Sequence, residues 1–268
     1  MDLRPIGIFD SGLGGLTAVR ALADAAPWES FVYLGDTGNA PYGDRTVEEL
    51  VALSRQNVRF LCSRGVKALL VACNTSTANT MDVMRSENPD LPIIGVIEPA
   101  AAAAVSVTET GRIGVLATAA TVRSGAYEKA VRRLMPGAAV TAVACQKLVP
   151  LVESGRTSPD DPALMEAVAE YTAPLKSAGV DTVVMGCTHY PIIRAAIRAC
   201  LGPDPALIDS GAASVGTLLK ALERQNALGD KEMTGSRRFY CTAGREIFTK
   251  VGSAFLGWDM SGRTEEVR

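Results

Sequence analysis

The chain has 268 residues, 47% of them hydrophobic, with 39 alanines and a net charge of -2 from 27 Lys plus Arg against 29 Asp plus Glu. A chain of this length buries roughly 70–75% of its unfolded surface and needs neither disulfides nor a structural metal to fold. The charge balance excludes an electrostatic nucleic-acid binder, the single histidine excludes multi-histidine zinc sites, and the lack of an 18-residue apolar run excludes a membrane helix.

Val- and Ile-rich runs alternate with helical patterns along the chain. In order, the strand-like runs are Ile6–Phe9, Phe31–Leu34, Leu69–Ala72, Ile93–Ile97, Ile113–Ala117, Val140–Ala144, Thr182–Met185 and Ala206–Asp209. Helix-like stretches between them include Val47–Arg64, Thr77–Ser86, Ala163–Ser177 and Ile192–Leu201. Ala100–Ala104, after Pro99, reads as the start of a buried helix. Continuous apolar strands alternating with helices predict an α/β fold, with parallel sheets covered on both faces. The first strand begins too early to leave room for a signal peptide, so a cytoplasmic protein is expected. After Asp209 come two further helix patterns and the strand-like Arg238–Cys241, expected to pack back on the first half.

The order of elements repeats. Ile6–Phe9 matches Ile113–Leu116 at an offset of 107, Cys73 matches Cys187 at 114, and Ile94 matches Leu207 at 113. This predicts two pseudo-symmetric domains, residues 1–97 plus 208–268 and residues 98–207, apposed with a site between them.

Ligands of parallel α/β sheets bind beyond the carboxyl ends of the strands, and the polar motifs lie there. Asp10-Ser11-Gly12 ends the first strand, and Asp36 through Pro41-Tyr42-Gly43 follows the second. Cys73-Asn74-Thr75 ends the third. In the second half, Thr118 and Thr121 follow the first strand and Cys187-Thr188-His189 follows the third. None of the six cysteines forms C-x-x-C, so zinc ribbons and dithiol redox pairs are not expected. Cys73 and Cys187 each sit between a strand and a helix start, with Thr75 or Thr77 available to cap the first helix. A helix N-terminus is expected to lower the pKa of such a thiol. Two thiols facing one ligand from opposite sides suit removal of a proton from one face of a carbon and its return to the other. Asp10 and His189 stand beside them as proton donors or acceptors.

Gly12, Gly14 and Gly15 partly resemble a dinucleotide fingerprint, and Asp36 stands 24 residues past Gly12. The third glycine of that fingerprint is missing, and Asp10 puts a carboxylate where pyrophosphate would approach. A tight turn around a small ligand explains these glycines better.

Together, Phe9-Asp10-Ser11-Gly12-Leu13-Gly14-Gly15, Gly35-Asp36-Thr37 with Pro41-Tyr42-Gly43, Ala72-Cys73-Asn74-Thr75, Leu151-Val152-Glu153 and Gly186-Cys187-Thr188-His189-Tyr190-Pro191 resemble the glutamate racemase family. These are cofactor-independent enzymes that supply D-glutamate for peptidoglycan. The resemblance runs from about Ile6 to Gly216. It implies a two-base mechanism with Cys73 acting on D-glutamate and Cys187 on L-glutamate, helped by Asp10 and His189. It places substrate contacts at Ser11, Pro41, Tyr42, Gly43, Asn74, Thr75, Thr118, Thr121 and Thr188, with Asp36 and Glu153 as further acidic residues near the site. It also implies a homodimer, no cofactor, and no nucleic-acid or membrane partner. None of the seven lysines and no arginine falls in a strand-end motif. The substrate carboxylates are therefore expected to meet hydroxyls, the Asn74 amide and backbone N–H groups. Three alternatives stay open: another two-cysteine racemase such as one acting on aspartate, a cysteine hydrolase built on His189, and a nucleotide-binding module.

Overall fold

All eight predicted apolar runs form strands in the computed structural model, which describes residues 1–267. The first half runs β1 (Ile6–Asp10), α1 (Leu16–Ala25), β2 (Phe31–Gly35), α2 (Val47–Ser63), β3 (Ala68–Val71), α3 (Asn74–Glu87), β4 (Ile93–Gly95) and α4 (Ile97–Val107). The second runs β5 (Arg112–Ala117), α5 (Ala119–Ser124), α6 (Ala126–Leu134), β6 (Ala139–Ala144), α7 (Leu148–Glu153), α8 (Pro162–Ser177), β7 (Thr182–Gly186), a 3₁₀ turn (Tyr190–Ile193), α9 (Arg194–Leu201) and β8 (Ala206–Asp209). The chain ends with α10 (Ser210–Arg224), β9 (Arg237–Cys241), α11 (Arg245–Leu256) and β10 (Thr264–Glu266).

The strands form two parallel sheets. One has the order β10-β9-β2-β1-β3-β4 and the other β6-β5-β7-β8. Strip β9 and β10 from the first, and the two orders are the same pattern, second-first-third-fourth. This is the repeat read from the sequence, now expressed as strand pairing. β9 pairs with β2 and β10 with β9, so the chain's end does return to the first sheet. The domain boundary expected at 207/208 falls inside β8, which pairs with β7 along its length.

Alternation along the strands supplies two covered faces. Ile6 and Ile8 join α1, α10 and α11 on one side of the first sheet, through Leu16, Leu218 and Phe248. Phe9, Leu69 and Val71 face the other way, onto Val58 and Leu61 of α2 and Met84 of α3. In the second sheet, Ile113, Val115 and Val184 pack on Ala100, Ala101 and Ala104 of α4. The alanine run is therefore a helix face that lets α4 lie close to the strands. β6 is an edge strand and only half buried.

Two boundaries differ from expectation. The strand predicted over Ile93–Ile97 stops at Gly95, and Ile97 opens α4 instead. The helix predicted from Thr77 starts three residues earlier, at Asn74. Among the described residues, no helix is long and apolar enough to cross a membrane.

Candidate active site

Cys73 follows β3 and Cys187 follows β7, equivalent strands of the two sheets. Both line one cavity of about 540 Å³ at the carboxyl ends of the strands. Ser11, Pro41, Tyr42, Gly43, Asn74, Thr75, Thr118, Thr188, His189 and Glu153 line it too, and no Lys or Arg is among the lining residues. A larger groove of about 820 Å³ runs beside α1 and α11 and shares Glu153, but neither thiol reaches it. Size alone would have picked the wrong opening.

The surroundings of Cys73 come from the first half. Cys73 is itself the N-cap of α3, its sulfur accepting from the Ser76 N–H at 3.5 Å, so neither Thr75 nor Thr77 fills that position. Thr77 instead donates to the Val71 carbonyl. The Ser11 hydroxyl lies 3.8 Å from the sulfur. Burial pushes the thiol up to about 11, and the charge of Asp10 adds to this; the hydrogen bonds to Ser76 and Ser11 only partly offset it. The expected lowering by the helix N-terminus is thus overruled by desolvation.

Cys187 has a different neighbour. Its sulfur is 3.8 Å from His189 Nδ1, and His189 Nε2 is 3.0 Å from Glu153 Oε1. Burial opposes protonation of His189, but the hydrogen bonds and charges of Cys187 and Glu153 outweigh it and raise its pKa to about 10. In the imidazolium form both ring N–H groups donate, one to each partner. Pro191 sits in the first turn of the 3₁₀ segment after His189, as its rigid φ allows.

Asp10 does not line the cavity. It is fully buried, accepting from the Gly12 N–H at 3.0 Å and from the Thr188 hydroxyl at 3.3 Å. Burial raises its pKa, and the His189 charge together with these hydrogen bonds pulls the other way. Its carboxylate occupies the glycine turn's own donors, which closes the dinucleotide reading. Gly14 and Gly15 answer to close approach, whereas a Cβ on Gly12 would meet nothing within 4 Å. A Cβ on Gly15 would stand 2.5 Å from Asp10 Cβ and 2.8 Å from the Tyr33 hydroxyl. A Cβ on Gly14 would stand 2.6 Å from His189 Nδ1. Gly14 therefore lets the loop after β1 press against the loop after β7.

Asp36 and Thr121 also lie behind the cavity wall. Asp36 accepts from the Tyr42 hydroxyl, from Asn39 at 2.9 Å and from Thr242 at 2.7 Å. Thr242 follows β9, so the chain's end fastens the loop that carries Pro41-Tyr42-Gly43. Thr121 stands 3.0 Å behind Thr118, whose hydroxyl is 2.9 Å from that of Thr75 across the two halves. Asn74 lines the cavity, yet its amide is partly engaged within the protein, with Tyr127 and Ser210. Cys145, at the end of β6, lines the cavity and escaped the sequence reading. The rule that found the other two thiols, a cysteine just past a strand, applies to it as well. Burial pushes it up to about 12.

Two similar α/β halves thus meet over paired thiols on one cavity. The Asp/Glu/Hydantoin racemase model matches residues 18–218, and the chain belongs to that family. A glutamate racemase of Desulforudis audaxviator is 42% identical over 266 residues, covering 97% of this chain and 96% of that one. Among solved structures, a glutamate racemase isoform from Bacillus anthracis is 35% identical with a TM-score of 0.95, covering 100% and 98% of the two chains. The Francisella tularensis glutamate racemase, in complex with D-glutamate, is 32% identical with a TM-score of 0.91, again covering 100% and 98%. The chain is thus an amino-acid racemase by kinship, over nearly its whole length.

Proposed function

We propose that this chain interconverts L- and D-glutamate without a cofactor, with Cys73 and Cys187 as its two proton-transfer groups. The observation that carries this reading is the pair of thiols, at equivalent strand ends, on one cavity. Glutamate rather than aspartate is preferred because the full-length relatives are glutamate racemases.

From D-glutamate, the Cys73 thiolate takes the α-proton and becomes a thiol, leaving the electron pair on Cα and its carboxylate. The Cys187 thiol then delivers its proton to the opposite face. L-Glutamate results, and Cys187 is left as the thiolate that begins the reverse reaction. Cys73 rests as a thiol in its buried site, so its ionisation needs a compensating charge. The substrate ammonium supplies one, an opposite charge close to the sulfur. His189, whose protonated form is favoured by its hydrogen bonds to Cys187 and Glu153, serves Cys187; Asp10 serves Cys73 through the Ser11 turn. Ser11, Asn74, Thr75, Thr118 and Thr188 bind the substrate, Thr121 supports Thr118, and Asp36 orients Tyr42 in the wall formed with Pro41 and Gly43. The absence of fixed Lys or Arg at the cavity leaves hydroxyl and amide donors for the two carboxylates. By the same resemblance the protein works as a cytoplasmic homodimer supplying D-glutamate for peptidoglycan.

Cys187, His189 and Glu153 also lie in the order of a nucleophile, its base and the group that orients it. That geometry favours a second reading, a cysteine hydrolase, in which Cys73 has no part. One experiment separates the two. Exhaustively dialysed protein is incubated with L-glutamate in D₂O and analysed by chiral chromatography and NMR at Cα. D-Glutamate deuterated at Cα is expected. No turnover without added pyridoxal phosphate or metal overturns the racemase reading. Hydrolysis of an activated ester through an acyl-enzyme would install the hydrolase instead.

A further inference from the structure

Asn74 follows Cys73 directly, and its side chain is held by two residues that no motif contains. Its Oδ1 accepts from the Tyr127 hydroxyl at 2.7 Å, and its Nδ2 donates to Ser210 Oγ at 3.3 Å. Ser210 in turn donates to the Met185 carbonyl at 3.1 Å. Asn74, Tyr127 and Ser210 are all buried, at 3%, 3% and 1% exposure. The direction of this chain of bonds follows from its last member. A carbonyl can only accept, so the single Ser210 proton points to Met185 and its oxygen must accept. The Asn74 amide therefore turns its NH₂ toward Ser210 and its oxygen toward Tyr127. One N–H of that NH₂ has no protein partner among the described residues, and Asn74 lines the cavity. The amide is thus presented to a ligand as a donor.

We propose that Tyr127 and Ser210 are positioning residues that fix the Asn74 amide as a donor to a substrate carboxylate. The inference rests on the glutamate reading above. The chain of bonds also spans the two halves. Tyr127 lies in α6 and Met185 stands two residues before Cys187, whereas Asn74 stands next to Cys73. It therefore ties the amide to both thiol-bearing strand ends. Without Tyr127's donor the Asn74 oxygen loses its partner and Ser210 alone holds the amide's direction; without Ser210's acceptor an inverted amide would point its oxygen at a carboxylate.

The test compares Tyr127→Phe and Ser210→Ala with wild type on L- and D-glutamate. Loss of one hydrogen bond predicts a KM raised about fivefold to tenfold for both enantiomers, with kcat changed less than KM. Thermal unfolding is measured alongside. A double-mutant cycle supplies the readout that a structural role would not move. In an Asn74→Ala background, Tyr127→Phe should leave KM unaltered, because the group it orients is gone. Additive losses in that background, or an unchanged KM in both folded single variants, overturn the inference. If Tyr127→Phe does not fold, Ser210→Ala and its cycle with Asn74→Ala decide by the same criteria. Failure of wild type to racemise glutamate would count against the proposed function, whereas an active wild type with indifferent variants counts against the positioning role alone.

Discussion

Cys73 and Cys187 occupy the same place in two copies of one topology, yet their chemical surroundings are not alike. Cys73 caps a regular helix, with the Ser11 hydroxyl beside its sulfur and the buried Asp10 carboxyl nearby. Cys187 precedes a 3₁₀ turn and faces His189, which is braced by Glu153. One thiol has a buried carboxyl group for a neighbour and the other an imidazole. The fold is thus symmetric where it sets position and asymmetric where it sets charge. Duplicated geometry can bring two groups to opposite faces of one carbon, while single residues beside them tune each half-reaction separately.

The largest expected effect breaks the symmetry outright. Cys73→Ala and Cys187→Ala should each lower racemisation by about 10³-fold or more, since inversion needs a base on one face and an acid on the other. Their residual chemistry should differ. An analogue with a leaving group at Cβ can eliminate after one proton removal, with no return of the proton to Cα. The Cys187→Ala protein should eliminate only from the D-configured analogue and the Cys73→Ala protein only from the L-configured one. Racemisation near the wild-type rate in either folded variant would remove the paired-thiol mechanism.

A smaller effect tests the charge difference. His189→Asn and Asp10→Asn should each slow turnover by about 10- to 100-fold, less than loss of a thiol. The two enantiomers have equal free energy, so kcat/KM must fall equally in both directions for each variant. The asymmetry has to appear elsewhere. With His189→Asn, proton transfer at Cys187 becomes more nearly rate-limiting. The primary isotope effect with α-deuterated L-glutamate should rise and that with the D-isomer should fall. Asp10→Asn should do the reverse. Equal changes for both enantiomers in both variants would mean that His189 and Asp10 do not divide the work.

The division between what was legible in the sequence and what was not follows the range of the contacts. Strands β1 to β8 were legible because both faces of a parallel sheet are covered, which leaves unbroken Val and Ile runs. The order of elements in the second half was legible because it repeats the first. β10 was not, being a three-residue edge strand with only Thr264 buried and no apolar run. The cap of α3 was misplaced because cysteine is not among the residues that cap by habit. The residues lining the cavity were readable as strand ends. The ones behind it were harder. Thr242, Tyr127 and Ser210 reach the site only through folding, from 206, 53 and 136 residues away along the chain from Asp36, Asn74 and Asn74. No local pattern marks such a partner.

The smallest effect isolates the brace on the Cys187 side. His189 is the only histidine in the chain, so its ring signals can be followed by NMR in the intact protein without further assignment. Its raised pKa predicts that the ring stays protonated through neutral pH and titrates near 10. Glu153→Gln keeps a hydrogen-bond acceptor and removes the charge. Because the Glu153 side chain is 44% exposed, solvent screens the pair, and the midpoint should fall by only about one pH unit or less. The sign for stability follows from linkage. A histidine whose folded pKa exceeds its unfolded value of about 6.5 stabilises the fold fully below that value. It loses the contribution as pH rises through about 10. The melting temperature of wild type should therefore exceed that of Glu153→Gln near pH 6, and the gap should close as the pH passes through that alkaline range. Asp10→Gly would disturb packing, but Asp10→Asn should leave the His189 midpoint lowered as well, since the buried Asp10 carboxylate also acts on the ring. A ring that titrates near 6.5 in wild type would leave Cys187 facing a neutral imidazole at neutral pH. The contrast between the two thiols would then have to be sought in Asp10 alone.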